Sequence, residues 1–260
     1  MSSKRSSWEI SQAVIFALLM REMRTRFGAY RLGYAWALLE PVIHVAVFVI
    51  MFGFIMERTM PGINYPVFLI TGIIPWQLFN SMLSRGSKAV AANQGLFGYR
   101  QVKPFDAFLA RMLLEGLIHI CALTVLLFVA AWFGLEFSIK DPLGILMALL
   151  LLFLFSFGIA LILCVVITQS PELEKLMPII IRPLYFMSGI FFSIDTVPAQ
   201  YQSYLLWNPV LHANELCRDA LFGKFHSPGG SWEYLFISAI IAMTFGMALY
   251  RQNSERLITT

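Results

Sequence analysis

The sequence predicts an all-α polytopic membrane protein. It should have six transmembrane helices, an N-terminal amphipathic helix at the membrane interface, and a re-entrant helical pair on the outer side between the fifth and sixth spans. Three observations carry this expectation. The 260 residues are 58% hydrophobic and 13% charged, with mean hydropathy +0.72. The apolar residues lie in blocks of about 20, the length a helix needs to cross a hydrocarbon core of roughly 30 Å. The 19 lysines and arginines gather on alternate connections between those blocks. A soluble domain of this size could not cover so much apolar surface. The net charge of +4 reads as membrane orientation rather than affinity for nucleic acid, and no nucleic-acid partner is expected.

Residues 1–31 form a basic N-terminal segment. Its apolar run, Ala13–Met20, follows Trp8 and Glu9 and precedes Arg21 with no small-residue cleavage site, so it does not read as a cleavable signal. As a helix that run covers about 12 Å, too little to cross. With Arg21, Arg24, Arg26 and Arg31 behind it, Trp8–Tyr30 is expected to lie on the membrane surface, as a topology anchor or in a functional role.

Residues 32–250 carry the six expected spans: Leu32–Met56, Tyr65–Leu83, Phe105–Leu135, Leu143–Thr168, Leu176–Ile194 and Trp232–Tyr250. Residues 251–260 are a tail. If the spans alternate, 15 of the lysines and arginines fall on one side and 4 (Arg58, Lys140, Arg218, Lys224) on the other, which places both termini inside.

The connection 84–106 (SRGSKAVAANQGLFGYRQVKPFD) carries Arg85, Lys88, Arg100 and Lys103 and no acid before Asp106. It mixes glycine, aromatic and amide residues beyond what a tether needs, and is expected to face inward and meet a soluble partner. The outer connection 195–231 holds two short pieces, Pro198–Trp207 and Pro209–Phe222, each opened by a proline. Both are too short to span, so they suit a re-entrant hairpin or an outer cap. Tyr201, Tyr204 and Trp207 match an aromatic belt, and Ala213–Leu221 reads as amphipathic, with Glu215, Arg218 and Asp219 on its polar side.

Polar groups within spans are costly and point to function or to register-fixing ion pairs. Arg111, Glu115 and His119 recur every four residues on the third span, as do Glu40 and His44 on the first. Glu40 or Glu115 is expected to pair with Arg111 near the inner interface. No HExxH or Cys/His cluster supports a metal site, and no GxSxG elbow supports a hydrolase. Of the cysteines, Cys121 and Cys164 read as buried hydrophobes and Cys217 has no obvious partner. A GxxxxGK[ST] phosphate loop is missing, so any uphill transport must be driven by another subunit.

Several stretches carry a resemblance. Arg21-Glu-Met-Arg-Thr-Arg-Phe-Gly28, Arg31-Leu-Gly-Tyr34 and Leu39-Glu-Pro41 resemble the opening of ABC-2 type permeases that export bacterial surface polysaccharides. Ala92-Asn-Gln-Gly-Leu-Phe97 and Tyr99-Arg-Gln-Val-Lys-Pro104 are similar to the capsular polysaccharide export permeases of group 2 capsules, the KpsM type. Arg182-Pro-Leu-Tyr-Phe186, Tyr204-Leu-Leu-Trp-Asn-Pro209 and Glu215-Leu-Cys-Arg-Asp219 continue the likeness.

The resemblance implies a bacterial inner-membrane permease, itself not an enzyme. It would act as a homodimer with two ATPase subunits that hold ATP and Mg, this chain binding no cofactor. The cargo would be a lipid-linked acidic polysaccharide, and the further partners a co-polymerase-type periplasmic adaptor and an outer-membrane export channel. It also implies a coupling region at 84–106, with Asn93, Gln94, Phe97, Tyr99, Arg100 and Lys103 meeting the ATPase. Arg24, Arg26, Arg31, Trp76, Arg182 and Tyr185 are candidates for the substrate path, and Tyr201, Tyr204, Trp207 and Arg218 for a periplasmic gate in 195–231. Glu40, Arg111, Glu115 and His119 would form the intramembrane polar set. Two alternatives stay open: an exporter of another lipid-linked glycan or hydrophobic molecule, and a polytopic enzyme acting on lipid-linked sugars.

Overall fold

Helix starts are set by short capping sequences. Asp141 accepts the Gly144 N–H (2.9 Å) and is followed by Pro142; Asn208 accepts the Val210 N–H (3.0 Å) and is followed by Pro209. Proline fits a first helical position because its missing N–H has no partner there anyway. Before Pro104, the Lys103 N–H donates to Asp106 Oδ2 (3.1 Å), and Ser231 Oγ accepts the Tyr234 N–H (3.2 Å). A computed structural model describes residues 7–28, 31, 33–55, 63–98, 102–222, 229–255 and 257, the side chains of Ser7 and Phe54 aside. Its helices are α1 (Ser7–Phe27), α2 (Ala35–Phe48), α3 (Tyr65–Gly86), α4 (Pro104–Trp132), α5 (Pro142–Gln169), α6 (Met177–Met187), α7 (Ala199–Gln202), α8 (Pro209–Leu221) and α9 (Trp232–Asn253). The α2 helix runs on through wider π-helical turns over Val49–Ile55. Among the described residues there is no strand, only an isolated bridge between Ser138 and Phe222.

Among the described residues, five helices are long and apolar enough to cross a membrane: Ala35–Gly53, α3, α4, α5 and α9. They assemble around α5, which carries no charge and packs against α3, α8 and α9. At Gly158 a Cβ would collide with the backbone of Ala242 and Met243, so glycine is what lets α5 and α9 touch.

Hydrogen bonds define the two ends of the bundle. At the basic end the Phe105 N–H meets Tyr250 Oη (3.2 Å), Gln169 meets Asn253 (2.8 Å) and Lys88 pairs with Glu174 (2.6 Å). At the opposite end the Asp141 N–H donates to Ala220 O (2.9 Å) and Tyr234 Oη to Trp207 O (2.6 Å).

Several expectations need correction. The span expected over Leu176–Ile194 is helical only from Met177 to Met187, 11 residues or roughly 16 Å, too short to cross unaided. The chain then turns at Gly189, which adopts φ 66°. Pro198–Trp207 is a single helical turn, Ala199–Gln202, followed by bends. The α8 helix is not amphipathic in use: Glu215 and Arg218 are as buried as Leu211 and Leu221. Cys121 is exposed on α4, whereas Cys164 and Cys217 are buried; all three are free. Lys4, Arg5, Arg58, Lys224 and Arg256 lie outside the described residues.

Candidate functional site

At the basic end, α1 lies against the start of α4. Its Leu18 is buried against Ala107 and Ala110, with Val14, Ile15 and Leu19 around them, while Trp8 and Phe16 point outward. This packing brings the polar residues of α1 over the ends of α3 and α4. Arg26 Nη1 bonds Glu115 Oε1 (2.6 Å), which also takes Arg85 Nε (3.2 Å). Glu115 is 1% exposed, and its second oxygen has no hydrogen-bond partner among the described residues. Glu40, on the rim, is 3.5 Å from Arg26 and 3.8 Å from Arg85. Arg111 does not pair with Glu40 or Glu115 as expected. It pairs with Glu22 (2.6 Å) and caps the Arg85 carbonyl (3.2 Å), because α1 supplies an acid that the span-by-span reading left out. One turn on from Glu115, His119 is buried, its Nδ1 2.8 Å from Glu115 O.

The cluster opens onto two hollows. A cavity of about 430 Å³ is lined by Glu22, Arg26, Arg85, Lys88, Arg111 and Glu115. A cleft of about 140 Å³ reaches toward the middle of the bundle past Glu40, His44, Trp76, Gln77 and His119. Charges inside the cluster are matched, arginine against glutamate, so it is a cross-brace between α1, α2, α3 and α4 before it is an anion trap.

The segment expected to couple to an ATPase folds as a turn and a 3₁₀ helix, Ala91–Leu96. Asn93 is 3% exposed and points inward. Its Oδ1 accepts from Arg21 (2.6 Å), and its Nδ2 donates to Glu22 (3.2 Å) and Ala89 O (2.8 Å). Phe97 packs half-buried with α1 and α4. Gln94 and Lys103 are exposed, and Tyr99 and Arg100 lie outside the described residues. Asn93 and Phe97 therefore hold the segment in place, and Gln94 and Lys103 are the described members open to a partner. Sequence reading missed Glu22 and Arg21 as members of this assembly. The signal was there: Glu22 is the one acid within the arginine-rich last two turns of α1, one turn before Arg26.

Of the residues expected along a substrate path, Arg26 and Trp76 both line the cleft of about 140 Å³, and Arg24, Arg31 and Arg182 do not. Arg26 belongs to the cluster, while Arg24, Arg31 and Arg182 are exposed. Trp76 is 3% exposed, packed edge-on against Tyr185 with centroids 5.4 Å apart. Phe48, Phe186 and Phe191 continue this aromatic packing between α2 and α6. The Tyr185 hydroxyl is buried with no partner among the described residues.

At the opposite end, Tyr201, Tyr204 and Trp207 are exposed, as a belt or gate would be. Arg218 is fully buried. Its guanidinium donates to Gly189 O (2.7 Å), Ile190 O (3.0 Å) and Phe192 O (3.3 Å), pairs with Glu215 (3.0 Å) and lies 3.5 Å from the centre of the Phe68 ring. Where the chain leaves α6 its carbonyls lose helical partners, and Arg218 supplies them. Glu215 in turn accepts from Ser193 (3.1 Å). His212 ties the same hairpin to α9: the Ser231 N–H donates to Nδ1 (3.1 Å), so Nε2 carries the proton toward Leu206 O (2.7 Å). Burial pushes the pKa of this ring below the usual histidine value.

Comparison with known proteins adds a second line. Residues 13–222 match the family model of the ABC-2 type transporter. The polysialic acid transport protein KpsM of Escherichia coli is 44% identical over 256 residues, 98% of this chain and 99% of that protein. The capsule polysaccharide export inner-membrane protein CtrC of Neisseria meningitidis serogroup B is 30% identical over 259 residues, 97% of this chain and 96% of its own length. The capsule polysaccharide export inner-membrane protein BexB of Haemophilus influenzae is 30% identical over 251 residues, covering 96% and 95%.

Proposed function

Because the chain belongs to the ABC-2 type transporter family, we propose that it is the membrane permease of a capsular polysaccharide exporter, moving a lipid-linked chain across the inner membrane. The observation that carries this reading is likeness along nearly the whole length to proteins named for polysaccharide transport and capsule export. The chain has no phosphate-binding loop, so the drive comes from a separate ATPase that holds ATP and Mg. Two copies of the permease with two ATPase subunits form the transport unit, joined by a periplasmic adaptor and an outer-membrane channel.

In this reading the basic end faces the cytoplasm, with both termini inside. The α5 helix ends at the basic end and α9 starts at the opposite one, so residues 171–231 carry the chain across. The sixth crossing is α6 completed by the turn at Gly189, with α7 and α8 as the re-entrant pair. The ATPase presses on the segment around Gln94. Asn93 hands that motion to Arg21 and Glu22 on α1, and Glu22 to Arg111 on α4. Arg218 holds the outer hairpin as a rigid unit, and Tyr201, Tyr204 and Trp207 border the exit.

The test is to isolate the chain from its native membrane and to delete it. A P-loop ATPase should co-purify, and the deletion strain should make polysaccharide that stays inside the cell. A chain that purifies alone and turns over a lipid-linked sugar would replace the transport reading with an enzymatic one.

A further inference from the structure

Helices α3, α4, α6 and α8 each carry one arginine: Arg85, Arg111, Arg182 and Arg218. Three of them have a carboxylate partner. Arg182 has no ion pair or hydrogen bond among the described residues. It lines a groove of about 290 Å³ between the basic-end turns of α3 and α6, with Asn80, Ser84 and Ser87 on the α3 side and the Lys88–Glu174 pair at the mouth. Nor does the Asn80 amide have a hydrogen bond among the described residues. The remaining wall, from α6, is apolar.

Asn80 lies six residues before the end of α3, and Arg182 five residues after the start of α6. Both therefore sit roughly 8 Å inside their helix ends, where headgroup gives way to hydrocarbon. A guanidinium without an anion at that depth is costly, and a free amide beside it adds to the cost.

We propose that this groove is a binding site for the phosphodiester of a phospholipid-type headgroup. The Arg182 fork takes the two non-bridging phosphate oxygens, the Asn80 amide donates to one of the same pair, and Lys88 can turn inward from Glu174. A phosphodiester suits the depth: it is the anion that lies at the headgroup boundary, with the apolar α6 wall taking the start of an acyl chain. Two sources offer this chemistry, a resident glycerophospholipid and the anchor of the transported polysaccharide. The second rests on the export reading above.

The experiment measures retention of short-chain dihexanoyl lipids on the detergent-purified full-length chain by native mass spectrometry. Phosphatidylglycerol should be retained about tenfold better than dihexanoylglycerol, which lacks the phosphate. Arg182→Gln and Asn80→Ala should each remove most of that advantage, and Arg182→Lys should restore part of it. Arg251→Gln, on an exposed arginine of α9 outside the groove, should leave it intact. Glu174→Gln frees Lys88 and should raise retention at least twofold.

Unchanged retention in Arg182→Gln, or equal retention of both lipids by the unaltered chain, overturns the site while leaving the export reading standing. A fall in retention on Glu174→Gln overturns the place given to Lys88. Export assays on the same variants separate the sources. Lost retention with lost export assigns the site to the cargo anchor, and lost retention with normal export assigns it to a resident lipid. Both outcomes support the phosphate site.

Discussion

Removing the charge of Glu115 leaves Arg26 and Arg85 facing each other without the buried carboxylate that joins them. Breaking a buried pair from one side costs about 3–5 kcal/mol, so Glu115→Gln should lower the thermal unfolding midpoint clearly in detergent. Glu40→Gln, on the exposed rim, should cost under about 1 kcal/mol by the same measurement. His212 sets a pH dependence. Its folded pKa lies below the unfolded value, so between the two the unfolded state binds more protons and stability rises with pH. The outer hairpin should loosen as pH falls below about 6.5, and loosen no further once the folded ring itself takes a proton. The physical cause is burial of the ring, which disfavours its charged form, and a proton on Nδ1 would also meet the Ser231 N–H donor to donor. Faster hydrogen exchange at the Ser231 amide at pH 5.5 than at 7.5, corrected for intrinsic rates and absent in His212→Gln, would show it. At this scale the spacing of Arg111, Glu115 and His119 was legible, because every fourth residue shares a helix face. Their partners were not, since Glu22 and Arg26 come from a helix 89 residues away in sequence.

Among the elements, the segment 84–98 divides into an inward side and an outward side. Asn93→Ala removes three hydrogen bonds to a buried amide and should cost about 1–3 kcal/mol. If the segment transmits force, that variant should keep its ATPase yet lose export. Gln94→Arg, on the exposed side, should weaken ATPase co-purification while leaving thermal stability unchanged. A reversed pattern would turn the segment around. The long helices were legible from apolar length and from proline-led starts, as at Pro104 and Pro142. The α8 helix was not. Its Glu215, Arg218 and Asp219 read as a solvent face because periodicity cannot register that nearby carbonyls lack partners. The break after Met187 was hidden for a related reason: Leu176–Ile194 is apolar throughout, and hydropathy does not distinguish a straight span from one that turns back at Gly189.

For the molecule as a whole, the decisive question is how residues 171–231 pass from one end to the other. Cysteines at Glu172 and Tyr201, both exposed, should be labelled by membrane-impermeant maleimide from opposite sides, Tyr201→Cys in intact spheroplasts and Glu172→Cys only after lysis. Labelling of both from one side would leave five crossings. Composition and charge placement made the membrane class and the basic end legible; the assembly of its partly crossing segment depended on tertiary contacts. That segment also sets an order of events during synthesis. The carbonyls of Gly189, Ile190 and Phe192 wait for a guanidinium that emerges 26 to 29 residues later. Until Arg218 leaves the ribosome, the turn that ends α6 lacks its hydrogen-bond donor, and only aromatic packing against α2 and α3 holds it. A nascent chain arrested after Asn208 should leave α6 extractable by alkaline carbonate when fused behind a soluble domain, and one arrested beyond α8 should hold it. Insertion of this permease is thus completed backwards, the later helix fixing the earlier one.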